Sequence, residues 1–245
     1  MKKIFLGIAL SLVVLQGCKK DDDEVDETVV LTVEEQNTYD DAAATKFMED
    51  HYFNSKGLIV AFDSTTDTDD ANPKLSSYPH EKLPSGVIYI KRTGAQPEPG
   101  KDIGSTDVIS LFQVTKSYVS SKTNDIISFG SEATFTDNVL GSGVPIIDPA
   151  YYYVKQSVLD KYNTTNGTTY GRNIYEIEGL QEGLKYFKSY DNLDPATDYN
   201  LQGVIIVPSR AAFGRENNVY SYTNRSFVFN FQIYNSRARV LPDEN

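Results

Sequence analysis

Histidine and cysteine, which act in many catalytic and metal sites, are scarce in this sequence, which has two histidines and one cysteine. The two histidines, His51 and His80, have no neighbours at the spacing of a metal site. Asp67, Asp69 and Asp70 lie close together, but the glycine and the distal glutamate of a calcium loop are missing, so we interpret them as a solvated turn. No Ser/His/Asp motif is recognisable. These residues therefore argue against metal ligation and against Ser/His/Asp catalysis.

The single cysteine, Cys18, stands where modification is expected. A positively charged start and an apolar run from Ile4 to Leu15 precede it, and that run is too short to span a bilayer comfortably. Leu15-Gln16-Gly17-Cys18 is similar to the bacterial lipobox, whose cysteine is diacylated and becomes the mature N-terminus. We therefore predict a lipoprotein signal peptide at 1–17 and lipidation of Cys18. An ordinary secretory peptide with an incidental cysteine is the alternative.

Residues 18–35 begin with an acidic run that cannot bury itself, so they predict a solvated tether. The run also resembles the export tags that some Gram-negative bacteria place after a lipidated cysteine. We expect an outer membrane lipoprotein exposed at the cell surface and held to the membrane through Cys18. A plain spacer and a periplasmic location are the alternatives.

The composition limits the kinds of molecule that this protein is expected to bind. The formal net charge is −11, which argues against nucleic acid and anionic lipid surfaces, because both require a basic surface. With Cys18 acylated, no thiol remains for a disulfide. The 17 tyrosines and 12 phenylalanines supply apolar area for a core or a pocket.

One short helix is expected to position any site in this chain. In Ile177–Phe187, Leu180, Leu184 and Phe187 share a helical face. Gly183 lies inside this helix at a cost of roughly 1 kcal/mol relative to alanine, which predicts a neighbour too close to admit a side chain.

Strands with alternating apolar residues surround this helix in the sequence, so the predicted fold class is α+β. The predicted strands include 86–91, 108–119, 203–207 and 226–234, and the last places Phe227, Phe229, Phe231 and Ile233 on one face. A helix is predicted from Gln36 to His51, capped by Asn37 or Thr38. The predicted organisation is an N-terminal helical extension at 36–83, a main domain at 84–236 with an insertion at 141–172, and a C-terminal tail at 237–245.

Three segments of the main domain carry a recognisable pattern: Ile177–Leu184, Val207–Gly214 and Asn224–Phe231. In this order they resemble the Ile-x-Gly-Trp-x-Glu-Gly, Ile-Pro-x-x-x-Ala-Tyr-Gly and Asn-Ala-x-Leu-Val-Phe-Asp-Val segments of the FKBP family of peptidyl-prolyl isomerases. The resemblance covers Pro84 to Asn235. It implies an FKBP-like antiparallel half-barrel sheet wrapped on one short central helix.

The resemblance also implies a site and a chemistry. The Ile177 N–H would donate to a substrate carbonyl, Leu180 would form the pocket floor, and Phe213 and Phe229 would form walls. Val114 falls at the position of a pocket tyrosine. Rotation of an X-Pro amide faces a barrier of ~18–20 kcal/mol. An apolar pocket disfavours the planar, dipolar amide and so favours the twisted state.

The sequence departs from the family pattern at several of these positions. Leu180 replaces the usual tryptophan, Phe213 lacks the usual tyrosine hydroxyl, and an upstream aromatic position falls on Ala133. These departures predict weak isomerisation, or peptide binding without turnover. Without the family pattern, Leu180, Phe213 and Phe229 would be read as core residues.

The predicted function is therefore a peptidyl-prolyl cis-trans isomerase or folding helper of the cell envelope, acting on proline-containing polypeptides. The alternative is a non-catalytic FKBP-like surface lipoprotein that binds peptides or partner proteins. A third hypothesis is an unrelated β-rich adhesin or glycan binder, for which the tyrosine-rich segment 141–172 would be the site.

Overall fold

The computed structural model describes residues 31–194 and 197–245. The predicted signal peptide, Cys18 and most of the acidic tether lie outside these residues. Contacts group Leu31–Asn245 as one unit. The domain boundaries inferred from the sequence stay a prediction.

The described residues contain three α-helices and eleven strands, with a 3₁₀ turn at Ser209–Ala211. The helices are α1 (Val33–Asp50), α2 (Gln156–Asn166) and α3 (Glu178–Leu184). The strands are β1 (His51–Phe53), β2 (Ile59–Ala61), β3 (His80–Lys82), β4 (Ile88–Lys91), β5 (Lys101–Asp102), β6 (Val108–Thr123), β7 (Ile126–Asp137), β8 (Ile146–Ile147), β9 (Lys188–Ser189), β10 (Gly203–Val207) and β11 (Ser226–Arg237).

The main sheet has seven strands in the order β3-β4-β10-β11-β6-β7, and β8 also pairs with β6. Every pairing in this sheet is antiparallel. The predicted combination of helices with an antiparallel sheet is therefore confirmed. Two smaller sheets, β1-β2 and β5-β9, complete the strand pairing.

Strand β11 supplies much of the core because its side chains alternate between the two faces of the sheet. The predicted set on one face, Phe227, Phe229, Phe231 and Ile233, is buried in one cluster with α3. Val228 lies in the cluster on the other face. Each of the four large side chains contributes about 2 kcal/mol through burial.

Helix α3 packs directly on β10. A Cβ atom at Gly183 would lie 2.8 Å from Cγ2 of Ile205, which confirms the predicted close neighbour. The predicted apolar face is confirmed as well, because Leu180, Leu184 and Phe187 are all buried in the same cluster. The helix is shorter than the segment from which it was predicted, and Phe187 follows it in a turn.

Helix α1 covers the opposite face of the sheet. Ala44, Phe47 and Met48 pack there in the cluster that includes Val204 and Ile206 of β10. The sheet therefore carries helices on both faces, α3 on one and α1 on the other.

A buried carboxylate fixes α1 to the rest of the fold. Asp40 is 1% exposed. Its oxygens accept hydrogen bonds from the Gln36 amide at 2.8 Å, the Ser120 hydroxyl at 2.7 Å and the Ser209 N–H at 2.9 Å. Because these donors come from α1, β6 and the 3₁₀ turn, Asp40 ties three elements together.

The start of α1 differs from the prediction. The helix begins at Val33 rather than at Gln36, and its N-cap is Thr32 rather than Asn37 or Thr38. The Thr32 hydroxyl accepts from the Glu35 N–H at 3.2 Å, and the Glu35 carboxylate accepts from the Thr32 N–H at 2.8 Å. This reciprocal pair is a capping box, and it makes Thr32 the better start signal.

Candidate functional site

Four of the five predicted site residues lie together. Ile177 caps the N-terminus of α3, Leu180 is in its first turn, Phe213 follows the 3₁₀ turn, and Phe229 is in β11. All four belong to one buried cluster, and none is more than 5% exposed. The three sequence segments that contain them therefore meet in space.

Val114 is not part of this group, so the prediction that it lines the same pocket is wrong. It pairs with Asn230, whereas Phe229 pairs with Thr115. Directly paired residues point to the same face of a sheet, so Val114 faces away from Phe229. Val114 instead lines a groove on the α1 side of the sheet. Gln113 and Thr115 are the β6 residues on the face of Phe229, because a one-residue change of register reverses the face.

Aromatic rings fill the space beside Phe229. Phe135 of β7 is at their centre, with ring centroids 5.2 Å from those of Tyr151, Tyr220 and Phe227. Most of these contacts are edge-to-face, which is a favourable arrangement for aromatic pairs. We call the set of Phe135, Tyr151, Tyr220, Tyr222, Phe227 and Phe229 the ring cluster. Ala133, which the sequence analysis aligned with an upstream aromatic position, lies two residues before Phe135 in the same strand.

Tyr151 enters the ring cluster from the predicted insertion 141–172. Its ring centroid lies 5.2 Å from that of Phe135 and 6.3 Å from that of Phe229. Its hydroxyl is hydrogen-bonded to the side-chain amide of Gln113, and Gln113 in turn accepts from the Thr115 hydroxyl at 3.1 Å. The insertion therefore supplies a side chain to the same core as the predicted site residues.

The backbone around Tyr151 is held by the start of α3. We call residues 148–154 the tyrosine turn. The Ile177 N–H donates to the carbonyl oxygen of Tyr151 at 2.8 Å. The Gln181 side chain donates to the carbonyl oxygen of Tyr152 at 2.6 Å, and the Val154 N–H donates to the Glu176 carboxylate at 2.8 Å. The donor that the family resemblance assigns to a substrate carbonyl is therefore occupied by a carbonyl of the same chain.

The two most deeply buried hydroxyls of the ring cluster do not ionise near neutral pH. Burial raises the pKa of the Tyr151 hydroxyl well above its ordinary value, and hydrogen bonds from Gln113 and Thr136 oppose that shift only in part. Burial also raises the pKa of the Tyr220 hydroxyl. Both phenols therefore stay protonated. What the cluster offers is an apolar, ring-lined environment and oriented backbone donors.

The histidines are used locally. Nδ1 of His51 lies 2.8 Å from the carbonyl oxygen of Phe47, and its ring stacks on the Phe47 ring with centroids 3.8 Å apart. Nδ1 of His80 lies 2.8 Å from the carbonyl oxygen of Tyr78. Within the described part of the chain, no group of three or more His, Cys, Asp or Glu side chains is arranged to hold a metal ion.

No helix within residues 31–194 and 197–245 has the length and apolar character needed to cross a membrane.

Comparisons with known proteins give limited matches. No protein-family model and no curated protein sequence matches the chain. Among solved structures, FkpA from Escherichia coli aligns with a TM-score of 0.34 and 14% identity, over 65% of this chain and 52% of that one. The chain thus spans about half the length of FkpA. A peptidyl-prolyl cis-trans isomerase from Pseudomonas syringae pv. tomato aligns with a TM-score of 0.33 and 11% identity, over 84% of this chain and 97% of that one. At such scores neither structure establishes the fold family or the activity of this chain.

Proposed function

We propose that the protein is an FKBP-type peptidyl-prolyl cis-trans isomerase of the cell envelope whose site is closed by the tyrosine turn. The observation that carries this proposal is the hydrogen bond from the Ile177 N–H to the Tyr151 carbonyl oxygen, at 2.8 Å. Gln181 and Glu176 bind the backbone that follows that carbonyl, at Tyr152 and Val154. A site that holds an internal polypeptide through its backbone has the groups needed to hold a substrate polypeptide.

The FKBP-like half-barrel around a central helix is part of the same proposal. It is supported by the meeting of the three family-like segments, Ile177–Leu184, Val207–Gly214 and Asn224–Phe231, in one core. The close packing of Gly179 and Gly183 on β10 also supports it, because both glycines belong to the first segment.

The chemistry follows from what the site contains. Twisting an X-Pro amide out of plane costs ~18–20 kcal/mol and requires no proton transfer to the protein. An apolar wall made of Leu180, Phe213 and Phe229 would favour the twisted, less dipolar amide over the planar one. The Ile177 N–H would orient the substrate carbonyl once the tyrosine turn has left. No metal or cofactor takes part.

The cell-envelope part of the proposal rests on the sequence. The lipobox-like motif at Cys18 and the acidic residues that follow it support a surface-exposed outer membrane lipoprotein, with the periplasmic face as the alternative. The proposed partners are proline-containing polypeptides and, through the lipid on Cys18, the membrane. The acidic balance of the chain makes nucleic acid an unsuitable partner.

A refolding assay tests the proposed activity. A client protein whose refolding is limited by an X-Pro bond shows a slow phase of tens to hundreds of seconds. Tyr151→Ala keeps the backbone carbonyl but removes the ring that anchors the tyrosine turn in the ring cluster. We expect the loosened turn to leave Ile177 more often and to accelerate this phase at least about tenfold more than the wild type, because activity scales with the fraction of open sites. Tyr151→Phe is the matched control: it keeps the ring in place and loses only the hydroxyl's bond to Gln113, so it should accelerate the slow phase far less than Tyr151→Ala.

A second function is favoured by a different observation. Leu180, Phe213 and Phe229 are all almost fully buried, and Phe213 has no hydroxyl to offer a ligand. This supports a non-catalytic protein that binds peptides or partner proteins. If folded Tyr151→Ala binds a proline-containing peptide but leaves the slow phase unchanged at large molar excess, the isomerase proposal is wrong and the binding function takes its place.

A further inference from the structure

The tyrosine turn is also held by the tail segment 237–245. Two guanidinium groups lie over the ring of Tyr153, with Cζ of Arg239 3.7 Å and Cζ of Arg172 4.6 Å from its centroid. The Tyr153 hydroxyl donates to Oδ1 of Asn245 at 3.0 Å. A cation over the face of a tyrosine ring is attracted to it electrostatically. The turn is therefore bound to the tail as well as to α3 and the ring cluster.

Arg239 is the centre of this contact. Its side chain is 1% exposed, and it forms a bidentate ion pair with Asp148, the first residue of the tyrosine turn, with Nη1 2.9 Å from Oδ2. Nε donates to the carbonyl oxygen of Thr106 at 2.9 Å, and Nη1 also donates to the carbonyl oxygen of Glu244 at 3.0 Å. Bidentate Arg–carboxylate pairs are among the stronger and more directional contacts in proteins.

The tail is folded back on itself so that Arg239 stays in place. The Glu244 carboxylate accepts from Arg237 at 2.8 Å and from the Val240 N–H at 2.8 Å. These bonds close a short loop around Arg239. This loop holds Arg239 against Asp148 and against the ring of Tyr153.

The contacts of the turn with α3 and with the tail are linked because the turn is short. Asp148 lies three residues before Tyr151, whose carbonyl oxygen occupies the Ile177 N–H. Without Arg239, the Asp148 carboxylate would be largely buried and without its main partner, which is an unfavourable state. Moving Asp148 into water relieves that state, and it carries Tyr151 away from Ile177.

We propose that residues 237–245 act as a latch on the tyrosine turn: the Arg239–Asp148 pair and the buried Tyr151 ring together hold the turn closed, and breaking the pair exposes the Ile177 amide. The consequence for catalysis rests on the isomerase function proposed above. The opening itself does not depend on that function. It is a property of the fold that can be measured without any client protein.

Two variants break the pair in different ways. Arg239→Gln removes the cation and leaves the Asp148 carboxylate without its main partner. The double variant Asp148→Asn/Arg239→Gln removes both charges, so it leaves no unpaired buried charge. It serves as the test if the single variant does not fold. Arg210→Gln is the matched control. Arg210 also pairs with an aspartate, Asp41, but does so against α1 and away from the turn. Circular dichroism establishes that each full-length variant is folded.

Amide hydrogen exchange is the first measurement. We expect exchange at Ile177 and Val154 to rise about tenfold or more in both latch variants, with no change at the amides of β10 and no change in Arg210→Gln. If the Ile177 amide of a folded latch variant exchanges as slowly as that of the wild type, the latch proposal is wrong.

The proline-limited refolding assay on the same variants is the second measurement. Faster exchange together with an accelerated slow phase supports the latch and the isomerase together. Faster exchange with an unchanged slow phase supports the latch and contradicts the isomerase function. Unchanged exchange overturns the latch whatever the refolding assay gives.

Discussion

The packing of α3 on the sheet makes a quantitative prediction for two glycines. An alanine at Gly183 would place its Cβ atom 2.8 Å from Cγ2 and 3.0 Å from Cδ1 of Ile205, a residue with no exposed surface. At Gly179 the Cβ atom would lie 2.5 Å from Cγ1 of Val207 and 2.9 Å from the carbonyl oxygen of Ala211. A side chain adjusts more easily than a backbone carbonyl, so the second clash is harder to relieve.

Two opposing free-energy terms give the expected size. Replacing glycine by alanine inside a helix gains about 1 kcal/mol of helix propensity. Overfilling a packed core costs about 1–3 kcal/mol. Gly183→Ala should therefore lower the free energy of unfolding by up to about 2 kcal/mol. Gly179→Ala should lower it further, because its Cβ atom is closer and one contact is to backbone.

Urea denaturation followed by circular dichroism measures these differences, and the chain has no tryptophan to follow instead. Lys185→Ala is the control, because Lys185 is exposed just after the same helix and should change stability by less than about 0.5 kcal/mol. If Gly183→Ala raised the free energy of unfolding by the full propensity gain, the close packing of α3 on Ile205 would be refuted.

Two further predictions concern Asp40 of α1 and His51, the residue that follows the helix. Asp40→Asn should lower the free energy of unfolding by roughly 2–4 kcal/mol. The reason is that the buried carboxylate accepts charge-assisted bonds from Ser120 and Ser209 that an amide cannot reproduce. An unchanged urea midpoint would contradict this prediction. Burial lowers the pKa of His51 below its ordinary 6.5. Protonation then favours the unfolded chain, so the stability from neutral His51 is complete above 6.5 and is lost as the pH falls from there through the folded-state pKa. His51→Phe should remove this part of the pH dependence, which urea midpoints at about pH 5 and about pH 7.5 measure; equal pH dependence in both proteins would contradict it.

Local patterns in the sequence were sufficient for the central elements. The four-residue spacing of Leu180 and Leu184 predicted the helical face, and a glycine inside the helix predicted close packing. The alternation in β11 predicted which side chains share the core with Phe229. Each of these features depends on the period of a single element, and the period can be read from the chain itself.

The register of β6 could not be predicted from such patterns. This strand is 16 residues long, and most of its first 13 residues are buried on both faces. Alternation between apolar and polar residues therefore does not mark an inner face. The sequence predicted Val114 as a pocket residue, but its neighbours Gln113 and Thr115 are the residues on the face of Phe229. A signal for the start of α1 was present and was missed: Thr32 and Glu35 have the spacing of a capping box.

The tyrosine turn could not be predicted at all. It belongs to a segment that interrupts the family-like pattern, and its contact with Ile177 joins residues that are far apart in the sequence. Tyr151-Tyr152-Tyr153 indicated a ring-rich segment, but nothing in its spacing indicated that the first ring is buried and that the third contacts two arginines. Such contacts are tertiary, so they appear only once the chain has folded.

The most direct test of the account is whether the Ile177 amide is accessible to a peptide. In a nuclear magnetic resonance titration with a short proline-containing peptide, we predict that the Ile177 amide resonance shifts in Tyr151→Ala and stays unchanged in the wild type. A shift of the same size in the wild type would contradict the closed site. No shift in the folded variant would contradict the assignment of Ile177 as the peptide-binding donor.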